Sequence, residues 1–172
     1  TVHRKGVNTV SFGDVGCSYG YYLYSAAFLI LVIGGGMQVL DERNILDAVL
    51  RFCESHAISR DTPVTLAVCS PSGECVFLLK MHGAPQLSYD IAVNKARTSA
   101  VMKVTTRAFH ERLIHEGLSV ADFCGAGTTG LIGGVPVFVE DEICGGIGIS
   151  GCKPERDEEL AYMFLSYLIE KI

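Results

Sequence analysis

Three places in the chain carry side chains suited to holding a ligand. In Lys80-Met81-His82-Gly83-Ala84-Pro85 an apolar run ends in a soft thioether, an imidazole and a glycine that lets the backbone turn. A neutral imidazole can ligate haem iron, so His82 on a pocket lip is one candidate iron ligand, against the plainer reading of a loop histidine without a role. Lys95 falls on the Ile91, Ala92, Ser99 side of a helical pattern, which would leave it partly buried. A buried lysine needs an anionic partner or a lowered pKa, so it meets either a ligand carboxylate or a structural counter-ion. His56 lies on the apolar stripe of an earlier helical segment, as a core histidine or a second candidate iron ligand.

Other motifs lose their chemistry when placed in context. Gly146-Ile147-Gly148-Ile149-Ser150-Gly151 matches the dinucleotide fingerprint letter for letter. Its first two glycines lie inside the second strand of a hairpin, though, and too little chain follows for the next parallel strand. Glycines inside a strand read better as points of close approach by another backbone or a ligand. His110-Glu111-Arg112-Leu113-Ile114-His115 resembles a zinc-protease helix, but histidines five apart point about 140° from each other on a helix. The reading is a solvated polar segment. Neither a nucleophile elbow nor a P-loop occurs, and no nucleophile and base can be paired from sequence alone.

The elements that would position these residues follow from periodicity. Ile45, Val49, Phe52 and His56 recur at helical spacing behind Asp41 and Glu42, which suit a helix N-terminus. Val64, Leu66 and Val68 alternate with Thr65, Ala67 and Cys69, and the run Cys75 to Leu79 follows Ser70-Pro71-Ser72-Gly73, a turn with proline at its second position. This predicts a β-hairpin. A second helix is expected from Ser88, as N-cap, to about Val104, with Ala92, Ala96, Ser99 and Ala100 forming a small-residue face. After a polar stretch and the glycine-rich segment 125–134, Val135 to Val139 and Ile143 to Ile149 predict a second hairpin. Pro154 then opens a terminal helix with Leu160, Ala161, Phe164, Leu165, Leu168 and Ile169 inward. Helices separating paired hairpins imply an α+β domain with an antiparallel sheet.

The chain has 172 residues, 49% hydrophobic and 19% charged, enough for one domain with a sizeable core. A net charge of -5 without a dense Lys/Arg run argues against nucleic acid or an anionic membrane surface as partner. Seven cysteines, an odd number without a C-x-x-C pair, read as reduced cytoplasmic thiols. Cys69 and Cys75 flank the first hairpin turn and could approach each other, although small buried cysteines are commoner. Residues 1–36 are atypical. The apolar run 26–33 is shorter than the roughly 20 residues a spanning helix needs, so a signal-like anchor competes with an extension upstream of a natural start at Met37.

Three stretches, in order and spacing, resemble the GlcG/HbpS/PduO C-terminal family, often labelled a haem-degrading domain. They are Lys80 to Pro85, Ser88 to Ala100, and Gly133-Gly134-Val135-Pro136 running through Gly145 to Ala161. The resemblance spans Gln38 to Ile172, so the expected domain is 37–172. It implies a three-layer α/β/α domain, assembly into homo-oligomers, and haem or cobalamin as ligand in some members. The sequence departs from the family pattern at Cys69, Lys80 and His82, where Asp, Arg and Asp are usual. The expected protein binds a small molecule, with haem or a related tetrapyrrole first. Its expected pocket combines Met81, His82, Lys95 and the Gly133, Gly134, Pro136 corner, with His82 or His56 on the iron. The alternatives are an enzyme acting on a small organic acid and a structural or assembly subunit.

Overall fold

The structure is a computed structural model, and it describes residues 40–55, 62–123 and 127–170. Residues 1–36 and His56, both singled out above, lie outside the described residues.

The first helix, α1 (Glu42–Glu54), starts where the side chain of Asp41 accepts a 2.7 Å hydrogen bond from the Asn44 N–H. That bond satisfies one of the amide donors a helix N-terminus leaves free. The strands β1 (Thr65–Cys69) and β2 (Cys75–Lys80) form the predicted hairpin. At its tip the Gly73 N–H reaches the Ser70 carbonyl at 2.9 Å, with Gly73 at φ 86°. The second hairpin joins β3 (Gly134–Val139) to β4 (Glu142–Ser150), and β4 lies antiparallel to β1, so the sheet order is β2-β1-β4-β3.

Strand alternation divides the sheet into two unlike faces. Leu66, Val68, Val135, Val137, Ile147 and Ile149 pack against α1 and the terminal helix α4 (Pro154–Ile169), where Phe52 and Phe164 meet edge to face at 5.6 Å. On the other face Ala67 and Cys69 lie beneath Ala92, Ala96 and Ala100 of α2 (Ser88–Met102). The result is the expected α+β, three-layer α/β/α arrangement with an antiparallel sheet.

Three details differ from the sequence expectations. Ser88 does not cap α2; it is the first helical residue, and its hydroxyl bonds the Pro85 carbonyl at 2.6 Å and the Thr65 hydroxyl at 2.7 Å. Ile169 is 43% exposed, because it falls beyond the stripe defined by Leu160, Phe164 and Leu168. The polar stretch after α2 contains a fourth helix, α3 (Thr106–Glu116), capped by Thr105 and buried through Phe109 and Leu113. Its two apolar contacts were hidden among charged residues because only one narrow face packs.

Candidate functional site

Lys95 is held at the boundary between the helical layers. From α2 its ammonium donates to Asp157 of α4 and to the Ile149 carbonyl of β4, both at 2.8 Å, and the two charged side chains are each 3% exposed. The second Asp157 oxygen accepts from the Cys152 N–H at 2.9 Å. Burial pushes the Lys95 ammonium below its ordinary pKa while Asp157 opposes that shift. Burial likewise pushes the Asp157 carboxyl up, against the pull of Lys95 and the nearby backbone donors. Both shifts have the sign of charges taken out of water. The partner of Lys95 is thus a carboxylate of the chain itself.

Gly133 and Gly134 close over this pair. A side-chain carbon at Gly133, which sits at φ 124°, would lie 2.8 Å from both Lys95 Nζ and the Asp157 Cβ and 2.9 Å from the Ile149 carbonyl. One at Gly134 would lie 2.5 Å from the Lys95 carbonyl, where the Gly134 N–H already donates to Thr106 at 2.8 Å. Only glycine lets strand β3 begin this close to two helices. Pro136 follows half-buried, opposite Gly146.

The remaining candidates lie at the same end of the sheet but on its other edge. Met81 is half-buried against the α1/α4 core and His82 is exposed in the turn after β2. Strands β2 and β3 are the two edges, three spacings apart, which amounts to about 14 Å. Gly133, Gly134, Lys95 and Pro136 therefore form one cluster, and Met81 with His82 another.

A third location has the shape of a ligand site. Between α3, the turn that follows it and the glycine-rich loop runs a groove of about 460 Å³, lined by His110, Leu113, Ile114, Leu118, Val120, Thr129, Gly130 and Leu131 among others. That volume lies within the usual ~300–1,000 Å³ of small-molecule sites. His110, Leu113 and Ile114 stand at i, i+3 and i+4 on α3 and so share a face. Gly117, at φ 65°, ends the helix in a Schellman-type turn in which the Leu118 N–H reaches the Leu113 carbonyl at 2.9 Å. This folds Leu118 back over the last turn. Ser119 is pinned by Asp122 at 2.7 Å, and the Thr129 N–H donates to Thr98 of α2 at 2.8 Å, which fixes the opposite wall. Ile114 is 68% exposed and Leu131 50%, an apolar rim surrounding one imidazole. Among the described residues no three His, Cys, Asp or Glu side chains converge on a metal position.

Sequence reasoning missed Asp157 as the partner of Lys95 and read His110 as part of a solvated segment. The first is separated by 62 positions and two strands, beyond any local pattern. The second was legible in part, since His110, Leu113 and Ile114 are spaced for one helical face.

The comparisons with known proteins agree with this architecture. The family model described as "Haem degrading protein HbpS-like" matches residues 40–165. Protein GlcG of Escherichia coli (strain K12) is 27% identical over 113 residues, 66% of this chain and 83% of that protein. Among solved structures, a double mutant of Streptomyces reticuli HbpS superposes with a TM-score of 0.66 at 27% identity, over 83% of this chain and 97% of that one. The structure described as a PduOC:heme complex superposes at 0.61 and 21% identity, over 73% and 89% of the two chains. With the match running from the cap of α1 well into α4, the chain belongs to the HbpS-like family.

Proposed function

We propose that this protein binds haem or a related tetrapyrrole in the groove beside α3, with His110 as the candidate iron ligand; a separate site at the β2 edge, with His82 on the iron, is the second reading. The observation that carries the reading is an apolar groove with an imidazole in its wall, which combines the stacking surface and the donor atom that haem requires. Leu113, Ile114, Leu118 and Leu131 would hold the macrocycle, and bound haem would supply a redox-active iron. Family membership and the haem complex of PduOC support haem over cobalamin. The small-acid enzyme draws less support, because Lys95 already neutralises Asp157 and lies across the sheet from His82. Homo-oligomeric assembly fits the exposed apolar side chains Val76 and Phe138 on the two edge strands. Among the described residues no helix is long and apolar enough to cross a membrane; a cytoplasmic location is our proposal.

The test is an absorbance titration of the full chain with haemin, comparing the parent with His110→Ala, His82→Ala and His56→Ala. A saturable Soret shift lost in His110→Ala supports the groove. Loss in His82→Ala or His56→Ala instead moves the iron to that position, and non-saturating uptake in all four proteins discards haem.

A further inference from the structure

The first hairpin contains a cysteine pair that plain strand alternation would have kept apart. Val68 faces Phe77 across the β1–β2 ladder, so unbroken pairing would match Cys69 with Val76 and send Cys75 to the opposite face. The register instead shifts between Val68 and Cys69, and Cys69 pairs with Cys75. A one-residue shift reverses which face a side chain takes, so the bulge turns Cys75 onto the α2 side with Cys69. The Ser70 N–H donates to the Glu74 carbonyl at 2.8 Å, immediately beyond the pair. This marks Cys69 and Cys75 as a non-hydrogen-bonded cross-strand position, where Cα atoms stand about 4.5 Å apart and side chains are closest. A disulfide spans about 4.4–6.8 Å between Cα atoms.

The two thiols are cross-strand neighbours that differ in access. Cys69 is fully buried among Ala67, Ala92 and Ala96, whereas Cys75 is exposed. Cys69 Sγ donates to the Val93 carbonyl of α2 at 3.9 Å and Cys75 Sγ to the Phe77 carbonyl at 3.3 Å; Arg97, whose Nε is fixed to the Gly73 carbonyl at 2.9 Å, adds positive charge nearby. From these contacts we infer that Cys69 and Cys75 form a redox-active pair, in which exposed Cys75 is the site of attack by a hydroperoxide and buried Cys69 resolves it into a cross-strand disulfide. This inference is independent of the haem reading.

The neighbouring Cys69 thiol, helped by the Phe77 backbone and Arg97, brings the Cys75 thiol down to about 7 against a partial loss of water around its sulfur. The Cys75 sulfur, together with burial, pushes the Cys69 thiol far above the ordinary thiol range. Cys144 and Cys152 are both pushed up by burial, which sets Cys75 apart from them in reactivity. In the first step the Cys75 thiolate attacks one peroxide oxygen, the O–O bond breaks, and the departing oxygen takes a proton from solvent. Cys75 is then a sulfenic acid. In the second step the Cys69 sulfur attacks the Cys75 sulfur, the S–S bond forms, and the hydroxyl leaves with the Cys69 proton as water. Two thiols are oxidised by two electrons and the hydroperoxide is reduced. The weak acidity of Cys69 slows the second step.

The experiment treats reduced, haem-free full chain with hydrogen peroxide and maps its thiols by peptide mass spectrometry. The expected parent result is a Cys69–Cys75 linked peptide that dithiothreitol reverses. Cys69→Ser should give no link and a Cys75 sulfenic acid trapped by dimedone; Cys75→Ser should give neither product. Because Cys75 is exposed, Cys75→Ser should keep the parental circular dichroism spectrum. Absence of the link in the peroxide-treated parent, or equal loss of the Cys69 thiol in Cys75→Ser, would overturn the pair.

Discussion

The two faces of the sheet are covered by helices in opposite ways. Toward α1 and α4 the sheet presents Leu, Val and Ile, and the space is filled by Phe52, Leu160, Phe164 and Leu168. Toward α2 it presents Thr65, Ala67, Cys69, Gly146 and Gly148, and the helix answers with alanines. A side-chain carbon at Gly148 would collide with the Ala92 carbonyl and lie 2.5 Å from the Ala96 N–H. One face is thus packed by side-chain volume and the other by backbone proximity. Volume can be redistributed among neighbouring rotamers, whereas two backbones in contact have nothing to move. The buried Lys95–Asp157 pair stands where these regimes meet, tying α2 to α4 past the end of the sheet.

The largest effect should come from breaking that tie. Asp157→Ala leaves a buried ammonium without its counter-ion and should cost about 3–5 kcal/mol in urea unfolding. Next, Gly148→Ala should cost about 3 kcal/mol, at the top of the usual overpacking range, while Val137→Ile, the same one-carbon addition on the other face, should cost less than about 1.5 kcal/mol. Equal costs for the two would remove the distinction between the faces.

Replacing both charges, Lys95→Met with Asp157→Leu, should recover most of the Asp157→Ala loss, ending within about 1 kcal/mol of the parent or above it. Comparing the parent with this double variant across pH isolates the pair. Folded Asp157 holds its proton more tightly than the unfolded chain, so the pair's contribution falls as pH rises above the ordinary carboxyl value of 3.8. Folded Lys95 releases its proton more readily than the unfolded chain, so the contribution recovers as pH approaches 10.5. A stability difference that peaked near neutrality would contradict both directions. The smallest effect belongs to the groove rim: His110→Ala and Ile114→Ser should change stability by less than about 0.5 kcal/mol, since neither side chain is in the core. Loss of haemin binding in those variants with unchanged unfolding midpoints would separate the site from the scaffold.

Much of the fold was legible because it rests on local periodicity. The alternation through Val64 to Cys69, the turn at Pro71 and Gly73, and the apolar stripes of α1 and α4 each recur within a few residues, and among the described residues each forms as expected except at Ile169. The strand glycines Gly146 and Gly148 were also readable as points of close approach, and the approaching backbone is that of α2. Helix α3 escaped notice because Phe109 and Leu113 are embedded among Arg107, Glu111, Arg112 and Glu116, so its packed face is only two residues wide.

By itself, the sequence determined the two hairpins and the helices α1, α2 and α4, which strand face carries bulk, and that Lys95 would need a counter-charge. Only the tertiary structure decided where that charge comes from, which edge of the sheet holds His82, and that Cys75 shares a face with Cys69. Each of these depends on strand order, register or a single bulge, and those are set by contacts between residues far apart in the chain, whose pairing no local repeat encodes.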